Sequence, residues 1–66
     1  MIFYRNQRFK DINTTKPRNM KIVRLLLHNR EVKDAVTIDT GFGLEFRKDS
    51  EALLIFEEDV KGWWYI

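Results

Sequence analysis

The stretch VKDAVTID-TGFG-LEFRK, residues 32–48, decides the fold of this chain. Successive side chains of a β-strand point to opposite faces, and residues 32–39 alternate in this way. The branched apolar side chains that share one face are Val32, Val36 and Ile38. This alternation is typical of a half-buried antiparallel strand. It resumes in residues 44–48, and the intervening Gly41 and Gly43 tolerate positive φ, so the stretch predicts a β-hairpin.

Upstream of this hairpin, residues 20–28 are apolar on both faces of an extended chain. Such a segment suits a central strand that is covered on both sides. The same window also fits a helix, because Ile22, Leu25 and Leu26 lie near 3.6-residue spacing and Asn19 is a possible N-cap. We favour the strand, and a helix over residues 20–33 stays open as the alternative.

Downstream, residues 52–57 are apolar and extended, and residues 63–66 form a second extended segment. Between them, Asp59 and Gly62 stand at the first and last positions of a type I turn. The pattern predicts a second hairpin. Its rival is a helix over residues 50–61 with Ser50 as N-cap and Gly62 just beyond the C-terminus.

The predicted fold class is therefore mainly β: a small antiparallel meander of four to five strands, curled or barrel-like. The alternative is an α+β fold with a helix at 50–61 or 20–33. Residues 1–66 are expected to form a single domain. Residues 1–12 would be an N-terminal arm or edge element, residues 13–19, with Pro17, a loop, and residues 20–66 the compact body.

The composition excludes several classes of site. The chain has no cysteine and one histidine, His28, so neither a disulfide nor a closed zinc site is expected. No apolar run approaches the roughly 20 residues that span a bilayer, and the N-terminus lacks the layout of a secretory signal. We expect a cytoplasmic protein with no cofactor, no metal and no membrane association.

Asp39-Thr40-Gly41 resembles the Asp-Thr-Gly core of aspartic proteases, in which paired carboxylates activate water. Phe42 follows where that family usually has a small residue, and the chain is too short for the family's barrel-like lobe. We interpret the motif as a hairpin turn. The acidic run at residues 57–59 lacks the spacing of a calcium loop and is interpreted as a solvated turn. The hypothesis is that the chain is not an enzyme.

Charge is divided unevenly along the chain. Residues 1–30 hold eight Lys or Arg and one acidic residue, a net charge of +7, whereas residues 31–66 hold four and nine, a net charge of −5. The N-terminal part mixes aromatic and cationic side chains, as nucleic-acid-binding surfaces do. The alternative function is therefore a nucleic-acid-binding domain, whose candidate residues are Phe3, Tyr4, Arg5, Arg8, Phe9, Lys10, Arg18, Lys21 and Arg24.

The C-terminal run of large apolar residues carries the preferred hypothesis. Trp63 and Tyr65 would face one way and Trp64 and Ile66 the other, so a domain this small would offer one of the two faces to a partner. We expect a non-catalytic interaction protein, a regulator or inhibitor-like domain. It would dock on another protein or self-associate as a homodimer through Trp63, Trp64, Tyr65 and Ile66.

Overall fold

The computed structural model describes residues 9–66, and the predictions made for residues 1–8 lie outside that range. All of the regular structure in the described range is β-strand or short 3-10 helix. The strands are β1 (Lys10–Asp11), β2 (Ile22–Leu27), β3 (Val32–Asp39), β4 (Leu44–Lys48), β5 (Leu53–Phe56) and β6 (Val60–Tyr65). The 3-10 helices are Asp49–Glu51 and Glu57–Asp59.

The six strands form one antiparallel sheet in the order β1-β6-β2-β3-β4-β5. The prediction of a mainly β fold is confirmed. The prediction of a curled or barrel-like sheet of four to five strands was wrong: the sheet has six strands and is not closed or strongly curled. Within residues 9–66, β1 and β5 are its two edges, and no ladder joins them. Only β2 to β5 follow one another as a meander.

The predicted hairpin at residues 32–48 is confirmed as β3 and β4. Thr37 lies opposite Phe46 and Asp39 opposite Leu44. The turn is closed by the Thr40 amide, which donates to the Gly43 carbonyl at 3.0 Å. Both glycines of the turn have positive φ, 88° at Gly41 and 147° at Gly43. Glycine adopts such angles without a steric clash, so these two residues allow the chain to form this turn.

The helix considered for residues 20–33 was wrong, because residues 22–27 are a strand with a partner on each side. β2 pairs with β3 along one edge and with β6 along the other. The predicted central position is thus observed, but the core covers only the face of β2 that carries Val23 and Leu25, and Ile22 on the other face is 58% exposed. Val23 and Leu25 are both 0% exposed.

The second hairpin and the helix considered for residues 50–61 were also wrong. β5 pairs with β4 and β6 pairs with β1 and β2, so these successive strands are not neighbours. The predicted turn at residues 59–62 is replaced by the 3-10 helix Glu57–Asp59 and the start of β6. Gly62 lies inside β6, where the Phe9 ring and the Lys10 carbonyl oxygen approach too closely for a Cβ. The close approach of Phe9 and Lys10 thus explains why residue 62 is a glycine.

The hydrophobic core lies on one face of the sheet, which we call the inner face. The segment between β1 and β2 is tied to this core: Ile12 is buried, the Trp63 indole donates to the Thr15 carbonyl at 2.8 Å, and the Arg18 amide donates to the Tyr65 hydroxyl at 3.0 Å. The buried apolar residues are Ile12, Val23, Leu25, Ala35, Leu44, Phe46, Ile55, Val60 and Trp63.

Candidate functional site: the outer face of the sheet

Strand β3 presents its two faces in an unexpected way. Ala35 and Thr37, 4% and 0% exposed, point into the core. The branched apolar side chains point the other way, and Val32 is 51% exposed. A hydrophobic pattern of period 2 normally turns its most apolar side toward the core. In this strand the more hydrophobic side faces away from it.

The side of the sheet opposite the core, which we call the outer face, carries apolar residues on four strands, β2, β3, β5 and β6. Strand register places Ile22 opposite Val36, Val36 opposite Arg47 and Arg47 opposite Leu54, in one row across β2 to β5. The apolar members of the outer face are Ile22, Leu26, Val32, Val36, Ile38, Leu54, Phe56 and Trp64. Its charged members are Arg24, Asp34, Glu45 and Arg47.

Half of those apolar side chains are strongly exposed. Ile22 is 58%, Val32 51%, Leu54 49% and Phe56 46% exposed, and the others are half-buried. Single exposed apolar residues are ordinary on protein surfaces, but a contiguous apolar patch marks an interaction surface. On the outer face the charged residues Arg24, Asp34, Glu45 and Arg47 lie among the apolar ones, so this face is a mixed apolar and charged surface, and we take it as the candidate interaction surface.

Two cross-strand charges at the centre of the outer face form an ion pair. Arg24 Nε donates to Asp34 Oδ1 at 2.8 Å and Nη2 donates to Oδ2 at 3.1 Å. These hydrogen bonds hold the pKa of Asp34 below its usual value, although partial burial acts in the opposite direction. With Glu45 and Arg47 added, the part of the outer face formed by β2 to β5 carries two positive and two negative charges, so the net charge of that part is zero.

An aromatic border closes the outer face on the β6 side. The rings of Phe9 and Trp64 pack with centroids 6.1 Å apart and an interplanar angle of 49°. Phe9 also covers Gly62, whose missing side chain makes room for the ring. Trp64 is half-buried by these contacts and keeps part of its surface exposed.

The four C-terminal residues predicted as an interface are divided by the fold. Trp63 is 1% exposed in the core, and its ring meets that of Tyr65 edge to face at 4.8 Å. Trp64 belongs to the outer face. Ile66, 65% exposed, lines a shallow depression with Met20 and Ile22. The described structure therefore buries Trp63 and leaves Trp64, Tyr65 and Ile66 at least partly exposed, with Tyr65 and Ile66 lining the same depression.

The candidate nucleic-acid residues are also separated. Phe3, Tyr4, Arg5 and Arg8 lie outside the described range. Among the rest, Lys10 lies 6.0 Å from the Trp63 ring centroid, and Arg24 is paired with Asp34. Arg18 and Lys21 are exposed in the segment that precedes β2, and Phe9 packs on Trp64.

The acidic groups considered for catalysis or for calcium binding have structural contacts. Asp39 Oδ1 accepts from the Gly41 amide at 3.0 Å, which is a turn contact. Glu57 accepts from Lys16 Nζ at 2.6 Å and from the Leu44 amide at 3.0 Å. The Lys16 hydrogen bond lowers the pKa of Glu57, partial burial opposes this, and the Leu44 amide adds to the lowering.

Residues 9–66 contain no group of three His, Cys, Asp or Glu side chains placed to hold a metal ion. The described part of the chain has no helix that is long and apolar enough to cross a membrane. An open cleft of about 510 Å³ lies between the β3–β4 turn and the Glu57–Asp59 segment, and acidic and aromatic side chains line part of it. Those side chains are Phe42, Glu45, Phe56, Glu57 and Glu58.

Sequence reasoning missed most of the outer face, although a signal for it was present. Residues 53–56 read Leu-Leu-Ile-Phe and are apolar on both faces, as residues 22–27 largely are. In β2 the core covers only the face that carries Val23 and Leu25, and the other face has no described cover. Apolar residues on both faces of an edge strand such as β5 indicate a second surface that requires a cover.

No protein-family model, no curated protein and no solved structure matches this chain.

Proposed function

We propose that this domain is a non-catalytic interaction protein that docks on a protein partner through the outer face of its sheet. The observation that carries the proposal is the orientation of β3, which buries Ala35 and Thr37 and exposes Val32. The exposed residues of β2 and β5 extend the same surface on either side.

Burial of this surface supplies the driving force for docking. Removing apolar area from water is worth about 25 cal/mol per Å², or about 1.5–3 kcal/mol for a fully buried Ile, Leu or Phe side chain. Ile22, Leu54 and Phe56 are each about half exposed, so part of that gain is still available on binding. Trp64 and Phe9 add aromatic groups of the kind that anchor protein interfaces.

Charge favours a protein over a nucleic acid as the partner at this surface. Nucleic-acid affinity comes largely from Lys and Arg side chains that neutralise phosphates. Across β2 to β5 the outer face has no net positive charge, and its central arginine, Arg24, is already paired with Asp34. A mixed apolar and neutral surface is typical of the core of a protein interface.

The test is a capture experiment with a matched control. The tagged protein and the double variant Ile22→Thr/Leu54→Thr are used to recover proteins from lysate, with nuclease and at low and high salt. The control is Phe42→Ser, because Phe42 is fully exposed at the β3–β4 turn and lies outside the outer face. Circular dichroism establishes that all three proteins are equally folded.

We expect a salt-tolerant, nuclease-resistant protein partner to be recovered by the wild type and by Phe42→Ser and to be lost with the double variant. Equal recovery by all three proteins would contradict docking through the outer face. Recovery of nucleic acid that disappears at high salt would instead support the basic residues Arg18 and Lys21 as the functional surface.

A further inference from the structure

We infer that the partner seated on the outer face is a second copy of this chain, in a two-fold symmetric dimer with the sheets face to face. This inference rests on the proposed function and names its partner. Three properties of the outer face support it: the pattern of its charges, its area and the shape of the sheet.

The charges of the outer face are self-complementary. In a two-fold symmetric interface the same patch meets itself, so each positive group requires a negative one on the identical surface. Arg24 and Asp34 lie side by side at the centre, and Glu45 and Arg47 lie two residues apart on β4. Two copies can therefore approach with opposite charges in contact and without net repulsion.

The area of the outer face meets the requirement of a modest dimer. Strands lie about 4.8 Å apart and rise about 3.3 Å per residue, so five strands of this length present a face of roughly 20 by 20 Å. With the corrugation of side chains, two such faces bury on the order of 1,000 Å² in total, near the lower limit of specific interfaces. We therefore expect a dissociation constant on the order of 100 µM.

The shape of the sheet favours stacking over edge pairing. An open sheet that is not strongly curled can pack face to face on another at about 10 Å, with the strands of the two sheets about 30° apart. The edge strands are short: β1 has two residues and β5 has four. Such edges offer few backbone hydrogen bonds to a neighbouring chain.

The experiment measures self-association by sedimentation equilibrium and tests its chemistry by charge exchange. Glu45→Arg gives the part of the outer face formed by β2 to β5 a net charge of +2, and Arg47→Glu gives it −2. Each variant alone should be monomeric at concentrations where the wild type is dimeric, because like charges then face each other. An equimolar mixture of the two should restore the dimer. Phe42→Ser is the matched control and should dimerise as the wild type does.

The outcomes separate this inference from the proposed function. A wild type that stays monomeric up to about 1 mM, well above the expected dissociation constant, overturns the dimer. Docking on another protein then still stands if Ile22→Thr/Leu54→Thr abolishes capture while Phe42→Ser does not. A dimer that both charge variants leave intact also overturns the inference, since it would form through another surface. If capture too is unaffected by Ile22→Thr/Leu54→Thr, the proposed function fails as well.

Discussion

The inner and outer faces of the sheet both carry large apolar residues but differ in what covers them. The inner face holds Phe46 and Trp63, 0% and 1% exposed, beneath the segment that joins β1 to β2. The outer face holds Ile22 and Leu54, each about half exposed, with no described segment over them. The difference teaches that hydrophobic content alone does not identify the core. The core is the face against which the segment between β1 and β2 packs.

The largest expected effect comes from truncating the two adjacent tryptophans, which point to opposite faces. Trp63→Ala removes a fully buried ring and its hydrogen bond to Thr15, so it should cost about 3–5 kcal/mol and unfold a domain of this size. Trp64→Ala removes a half-buried ring and its contact with Phe9, and should cost about 1 kcal/mol. Urea denaturation followed by circular dichroism measures both. Equal losses would contradict the distinction between the faces.

Gly62 offers an intermediate test at the border between the faces. In Gly62→Ala the new Cβ would clash with the Phe9 ring and lie 2.9 Å from the Lys10 carbonyl oxygen. We expect a loss of about 1–3 kcal/mol from overpacking. Adding Phe9→Ala should recover part of that loss, because the ring is then gone and only the carbonyl contact remains. The double-mutant cycle is measured by thermal denaturation. No recovery would show that the ring does not cover Gly62.

Acid should weaken the inner face through Glu57, which ties β4 to the segment between β1 and β2. Its folded pKa is lowered by Lys16, so its contribution to stability is present above the unfolded pKa of about 4.3 and is lost as pH falls through the folded pKa. Glu57→Gln should reduce the loss of melting temperature between neutral and acidic pH. The control is Glu58→Gln, at an exposed neighbour that forms no ion pair within residues 9–66. If Glu57→Gln lost as much melting temperature on acidification as the wild type does, this role of Glu57 would be contradicted.

The smallest effect is expected at Thr37, a polar residue that is fully buried among the apolar residues of the inner face. Its side-chain oxygen is buried and makes no hydrogen bond within the described structure. Valine has the same shape without the hydroxyl, so Thr37→Val should be neutral or stabilise the domain by about 1 kcal/mol. Thermal denaturation decides this, and a loss above about 1 kcal/mol would show that the hydroxyl has a partner.

The parts of the fold that depend on local chemistry could be predicted from the sequence. The hairpin of β3 and β4 follows from its alternation and from Gly41 and Gly43, both of which have positive φ. The place of β6 could not be predicted in this way. Its pairing with β1 and β2 is long-range, and Gly62 suggests a turn until the approach of Phe9 is known.

The candidate site was predicted in small part. Trp64 was included in the expected interface, and it lies on the outer face. The assignment of Trp63 and Trp64 to opposite faces follows from strand alternation, but which face is covered depends on where residues 12–19 lie. Alternation likewise gives Val32 and Val36 a common face without showing that Ala35 and Thr37 take the buried side.

The most direct test of the account is a map of backbone amide chemical shifts of the labelled wild type between about 20 µM and about 1 mM, a range that brackets the expected dissociation constant. The account predicts concentration-dependent shifts centred on Ile22, Val36 and Leu54, with Thr14, in the segment that joins β1 to β2, unchanged. Shifts that centre on the β3–β4 turn, or a spectrum that does not change over this range, would contradict self-association through the outer face.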